Sequence, residues 1–103
     1  MFYLNNNEEK IIGKFVSYPR KYDDFLTLKW EGKGEITARF DSFMEDENEY
    51  EIDDEGYEEF WSLLFDAYQV KGKPPVNIAG NNDFLINYHN FPDEILVDGK
   101  KIN

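Results

Sequence analysis

The chain has 103 residues, the length of a single domain spanning 1–103, and it contains no cysteine. The lack of cysteine excludes disulfides, thiol nucleophiles and cysteine-ligated zinc or iron–sulfur sites. The 22 acidic and 11 basic residues give a net charge of −11, which disfavours binding to nucleic acid or an anionic membrane by charge. We see neither a secretory signal nor an apolar run long enough to span a membrane, so we expect a cytoplasmic protein.

Four strands are predicted in the first half of the chain. Residues 11–18 are rich in β-branched and aromatic types, which favour strands. Residues 25–30 and 35–41 alternate between apolar and polar side chains, and the glycine-bearing loop 31–34 joins them as a hairpin. A fourth strand is predicted at 47–53. The apolar sides of the alternating pair carry Leu26, Leu28, Trp30, Ile36, Ala38 and Phe40.

One main amphipathic helix is predicted at about 55–71. Apolar residues recur there with helical spacing, and Asp53 or Asp54 could cap the N-terminus. Lys71, Gly72 and the prolines that follow form a stop signal. The apolar positions are Tyr57, Phe60, Trp61, Leu64, Phe65 and Tyr68.

The last quarter of the chain predicts further strands. Residues 76–79 form a possible short strand, and residues 84–88 alternate as a strand. Asp98-Gly99 is a two-residue turn signal between 95–97 and 100–102. The predicted fold is therefore α+β, in the order β-β-β-β-α-β-β. An antiparallel sheet of about five or six strands carries the helix on one face.

The negative charge is concentrated in one segment. Residues 41–70 contain 12 acids and no base, whereas the rest of the chain is nearly neutral. On the predicted fourth strand, Glu47, Glu49, Glu51 and Asp53 would share one face in single file. Such crowding of like charges lowers stability, and the neighbouring aromatic residues are typical of interface hot spots. The segment therefore predicts a surface that docks a basic protein, with solvation alone as the alternative.

Carboxylates are abundant, but motifs for catalysis or metal binding are lacking. Calcium loops need a bidentate glutamate at position 12, but a loop beginning at Glu51 has Ser62 there. His89 is the only histidine, and no catalytic or zinc motif surrounds it, so we expect a surface or hydrogen-bonding residue. We predict no enzyme activity, no metal site and no cofactor.

The acidic stretch from Glu49 to Phe60, together with the hairpin from Trp30 to Ile36, resembles small acidic bacterial immunity proteins of polymorphic toxin systems. The resemblance lies in acidity, aromatic content and an α+β pattern without cysteine. It implies an intracellular protein that blocks a toxin, often a basic nuclease, by covering its active site or an adjacent surface.

The leading hypothesis is a non-enzymatic, immunity- or inhibitor-type protein that neutralises a basic protein, such as a toxin domain, through an anionic face at 41–59. One alternative is a DNA mimic whose carboxylates replace phosphates. Another is an accessory or structural domain whose acids only solubilise it, for which an apolar pocket lined by Trp30, Phe40 or Trp61 is expected. The predicted partner-binding residues are Glu47, Glu49, Tyr50, Glu51, Asp53, Asp54, Glu55, Tyr57, Glu58 and Glu59.

Overall fold

A computed structural model describes residues 3–19 and 24–103. Within these ranges it contains one helix and a six-stranded antiparallel sheet, so the predicted α+β class is confirmed. The strands lie side by side in the order β4-β3-β2-β1-β5-β6. The elements are α1 (Glu8–Ser17), β1 (Phe25–Trp30), β2 (Gly34–Glu47), β3 (Glu59–Gly72), β4 (Asp83–Ile86), β5 (Glu94–Val97) and β6 (Lys100–Lys101).

Helix α1 packs on one face of the sheet through Phe15, which is fully buried. The centroid of the Phe15 ring lies 5.4 Å from that of Phe40, 5.9 Å from that of Phe65 and 6.4 Å from that of Phe91. These separations are typical of favourable aromatic pairs. The aromatic cluster therefore joins the helix to β2, to β3 and to the chain after β4.

The alternation predicted for β1 and β2 is confirmed. Strand β1 buries every second residue, and β2 does so from Ile36 to Phe40; the two strands pair with each other from Phe25↔Arg39 to Trp30↔Gly34. Burying one face of an antiparallel strand removes its apolar side chains from water and fixes its register. The residues involved, each at most 5% exposed, are Leu26, Leu28, Trp30, Ile36, Ala38 and Phe40.

The helix predicted at 55–71 is wrong, because most of that segment is strand β3. Its apolar residues match a helical period, but the run is dominated by aromatic side chains, which favour strands over helices. The strand alternation was obscured by Ser62, a buried polar residue whose Oγ donates a hydrogen bond to Asp46 Oδ2 at 2.9 Å. Pairing with β2 along its whole length determines the conformation of this segment.

The strand predicted at 11–18 is also wrong, since these residues belong to α1 and its C-terminal end. Glu8, Ile12 and Phe15 are buried at a spacing of four and three residues, which is the period of a helix face. The helix ends before Pro19, and Tyr18 is already extended with φ −70° and ψ 126°. A proline disfavours helical backbone at the residue before it, so the end of the helix is specified by the local sequence.

Two more strand predictions fail and two succeed. Residues 47–53 form a strand only at Glu47 and are otherwise loop, and 76–79 are not a strand. The strand predicted at 84–88 is present as β4, and the terminal hairpin is present as β5 and β6. Asp98 and Gly99 both have positive φ, 51° and 78°, as a two-residue hairpin turn of this type requires.

The β2–β3 hairpin is longer than its neighbours. Each strand has 14 residues, yet β1 pairs only with Gly34–Arg39 of β2, and β4 pairs only with Leu63–Asp66 of β3. Within the described ranges, the far end of this hairpin therefore has no strand partner on its outer sides.

Among residues 3–19 and 24–103, no helix is long and apolar enough to cross a membrane.

Candidate functional site: the acidic hairpin end

The far end of the β2–β3 hairpin, residues 45–59, is called here the acidic hairpin end. It holds ten acidic residues and no lysine or arginine. Strand β2 leads into the loop at Glu47, and β3 leaves it at Glu59, directly opposite in the register. The acids are therefore gathered on one closed hairpin end. They are Glu45, Asp46, Glu47, Glu49, Glu51, Asp53, Asp54, Glu55, Glu58 and Glu59.

The loop between the strands is held by the side chain of Asn48. Its Nδ2 donates to the carbonyl of Gly56 at 2.6 Å, and its Oδ1 accepts from the amides of Tyr50 and Glu58, each at 3.3 Å. The Asn48 amide also donates to the Glu58 carbonyl at 3.2 Å. One neutral side chain thus ties together both ends of an acidic loop.

The tip of the loop is a turn from Glu51 to Asp54. The amide of Asp54 donates to the carbonyl of Glu51 at 2.9 Å, and the amide of Glu51 donates to Asp54 Oδ2 at 3.1 Å. Two apolar residues near this turn remain in solvent, with Tyr50 58% and Ile52 77% exposed. A Cβ added at Gly56 would lie 3.0 Å from Tyr50 Cε2, so the Tyr50 ring rests against this glycine.

Tyr57 lies between the two strand ends. Its hydroxyl donates to Glu47 Oε2 at 2.6 Å and lies 3.2 Å from Glu59 Oε1. Glu47 and Glu59 are directly opposite in the β2–β3 register, a position where like charges repel. The hydrogen bond to Glu47, reinforced by desolvation and by the two negative charges, raises the pKa of Tyr57, which keeps the phenol protonated as a donor.

Glu58 attaches the loop to the segment after β4. Its Oε2 accepts a hydrogen bond from Tyr88 at 2.5 Å, and its Oε1 is bonded to His89 Nε2. Burial acts to raise the pKa of Glu58, but the bonds from Tyr88 and His89 and the His89 charge together lower it. Desolvation and the bond to Glu58 raise the pKa of Tyr88 to about 12. Both shifts favour a carboxylate that accepts from protonated donors.

The N-terminal segment contacts the backbone at the start of β3. Asn5 Nδ2 donates to the Glu59 carbonyl at 3.0 Å. Glu8 is fully buried, and its carboxylate accepts from the amides of Leu4 at 2.8 Å and Trp61 at 2.5 Å. Glu8 was missed from the sequence because a strand was predicted at 11–18, and therefore no helix face that could bury this residue. Its spacing from Ile12 and Phe15 was the available signal.

All ten predicted partner-binding residues lie in the acidic hairpin end, but their local geometry differs from the prediction. Glu47, Glu49, Glu51 and Asp53 are not in single file on a strand, because β2 ends at Glu47. Asp53 and Asp54 cap no helix. Seven of the ten are loop acids or strand-end acids that are exposed to solvent: Glu47, Glu49, Glu51, Asp53, Asp54, Glu55 and Glu59. Glu58 and Tyr57 are half-buried, and Tyr50 is the exposed aromatic residue.

Two grooves are lined by residues outside the acidic hairpin end. One of about 540 Å³ is lined by Trp30, but also by the charged or polar residues Glu31, Lys33, His89 and others. A second, of about 460 Å³, is lined mainly by apolar side chains that include Leu64 and Phe84. Neither is the expected apolar pocket, since Phe40 lies in the core and Trp61 packs against it.

Across residues 3–19 and 24–103, no group of three or more histidine, aspartate or glutamate side chains converges in a way that could hold a metal ion.

Comparison with known proteins gives no further assignment. No family model, no curated protein and no solved structure matches this chain.

Proposed function

We propose that the protein is a non-enzymatic binding protein of the immunity or inhibitor type, which neutralises a basic protein partner through the anionic face at 41–59. The observation that carries the proposal is the acidic hairpin end, where ten acids and no base occupy one closed and internally hydrogen-bonded hairpin end. A preorganised loop loses less conformational freedom on binding than a flexible one.

The exposed apolar residues support a protein partner. Tyr50 and Ile52 stand in solvent among carboxylates, at 58% and 77% exposure. Aromatic and aliphatic anchors surrounded by charge are typical of interface hot spots, in which the apolar groups fill pockets and the charges steer the encounter. A domain whose acids only solubilise it has no need of an exposed isoleucine at the tip of its acidic loop.

The DNA-mimic alternative is less well supported. A mimic needs carboxylates spaced along the path of a duplex backbone, as the single file predicted for 47–53 would have allowed. Those residues form a compact loop closed by Asn48 instead. The compact arrangement favours a concave basic protein surface as the target.

Charge reversal tests the proposal. The variant Glu49→Lys/Glu51→Lys changes two exposed loop acids for which no side-chain hydrogen bond is seen among the described residues. The matched control Glu9→Lys/Glu31→Lys makes the same change of net charge at exposed positions elsewhere. Wild-type, variant and control proteins are immobilised, and proteins of the native host are captured in parallel and identified.

A protein captured by wild type is purified, and its association rates with wild type, loop variant and control are measured. The proposal is judged by the difference between the loop variant and the control. We expect a basic partner whose association rate falls at least about tenfold with the loop variant and also falls steeply with salt, because steering by charge acts on association. The control should associate within about twofold of wild type. Equal association of the loop variant and the control would refute the proposal.

A further inference from the structure

One residue both closes the acidic loop and attaches it to the sheet. The backbone of Glu58 closes the loop through its amide and carbonyl, which both bond to Asn48. Its carboxylate bonds to Tyr88 and to His89 on the segment after β4. A change at this carboxylate is therefore transmitted directly to the base of the loop.

The ionisable surroundings of this contact are few. The charge of the buried Glu8 also raises the pKa of Tyr88, and a hydrogen bond with Asn7 acts to lower it. On its open side, His89 shares the polar groove with Glu31, Lys33 and Asp93. Among the described residues, Glu58 is the one acid in ion-pair contact with His89. The side chain of His89 is 57% exposed and that of Glu58 is 25% exposed, so protons exchange freely with solvent.

We propose that His89 is a pH-responsive latch on the acidic loop, whose charged imidazolium holds Glu58 and thereby closes the base of the loop. Histidine ordinarily changes charge near pH 6.5, close to physiological pH. The Glu58 carboxylate forms an ion pair with the ring only when the ring is charged. The neutral ring keeps at most a hydrogen bond to the carboxylate. The loop base is therefore held more tightly when the imidazole is charged than when it is neutral.

The latch concerns the conformation of the loop, and only its consequence for partner binding depends on the proposed function. A partner that binds the closed loop would associate more tightly at mildly acidic pH. The conformational claim is tested without any partner, so its failure and the failure of the proposed function are distinguishable.

Hydrogen exchange followed by NMR between pH 5.5 and 8.5 tests the latch. The reporters are the amides of Asn48 and Glu58, which close the loop base, and amides in β1 serve as internal controls. After correction for intrinsic exchange, wild-type protection of the reporters should fall about two- to fivefold across this range, the effect of a partly exposed ion pair.

Two variants identify the origin of the change. His89→Gln can still donate a hydrogen bond but carries no titrating charge, and Glu58→Gln removes the opposite charge. Reporter protection should be independent of pH in both variants, while β1 protection should be unaffected. A wild-type protein without the fall, or a His89→Gln variant that retains it, would overturn the proposal.

Discussion

Glu8 offers the sharpest test of how the N-terminal helix is attached to the sheet. This carboxylate is fully buried and accepts hydrogen bonds from the amides of Leu4 and Trp61. Hydrogen bonds to a charged group contribute about 1.5–3 kcal/mol each. Part of this is offset, because Leu4 is half-buried and its amide can bond to water once the carboxylate is gone. Glu8→Ala should therefore lower the free energy of unfolding by about 2–4 kcal/mol.

The matched control is Glu9→Ala, which removes an exposed acid from the same first turn. Both changes remove the same interaction with the helix dipole, so the difference between them isolates the buried contacts. Urea unfolding gives both free energies, and the slope with denaturant should be unchanged. Glu8→Gln, which keeps one carbonyl acceptor, should lose about half as much as Glu8→Ala. A Glu8→Ala protein within about 0.5 kcal/mol of the Glu9→Ala protein would refute this role.

Two further predictions concern the core and acid pH. Phe15→Ala should cost about 3–5 kcal/mol by thermal or urea unfolding, because its buried ring contacts three others. Ile11→Ala on the exposed side of the same helix should cost far less, and similar losses would contradict the packing described. The lowered pKa of Glu58 contributes stability above the unfolded carboxyl range, and this stability is lost as pH falls through the lower folded pKa. The stability difference between wild type and Glu58→Gln should therefore shrink on acidification from pH 5 to pH 2.5; a constant difference would contradict the assignment.

The elements that could be read from the sequence are those specified by local signals. In β1 and β2 the strict alternation, with Gly32 in the connecting loop, indicates a hairpin with one buried face. Asp98-Gly99 specifies its turn by backbone conformation alone. No long-range information was needed at these positions, and both predictions are confirmed.

Strand β3 could not be assigned from local signals. Its apolar residues are so dense that they fit both a helical and a strand period, and short apolar runs are ambiguous in this way. The pairing of 13 of its 14 residues with β2 decides the outcome, and this pairing joins residues distant in the chain. The predicted fold class is still correct, because the second error, at 11–18, missed a helix. One helix was predicted and one is present, but at different places in the chain.

The candidate site was predicted in composition but not in shape. The count of acids at 41–70 requires no structure, so the gathering of charge could be located from the sequence. The alternation of Glu47, Glu49, Glu51 and Asp53 was a poor strand signal, because the intervening Tyr50 and Ile52 have no core to face and stand exposed. A period of two indicates a strand only when one of its two faces is buried.

The way in which these acids are held bears on their role. Two acids elsewhere on the sheet face a lysine in register, Glu35 opposite Lys71 and Glu94 opposite Lys29. At the acidic hairpin end, three carboxylates are instead bonded to hydroxyl donors: Glu47 to Tyr57, Asp46 to Ser62 and Glu58 to Tyr88, with His89 as a further partner of Glu58. A lysine partner would also relieve the repulsion between the acids, but it would cancel part of their charge. Neutral donors hold the acids in place and leave their charge exposed, which is what a surface that steers a cationic partner requires.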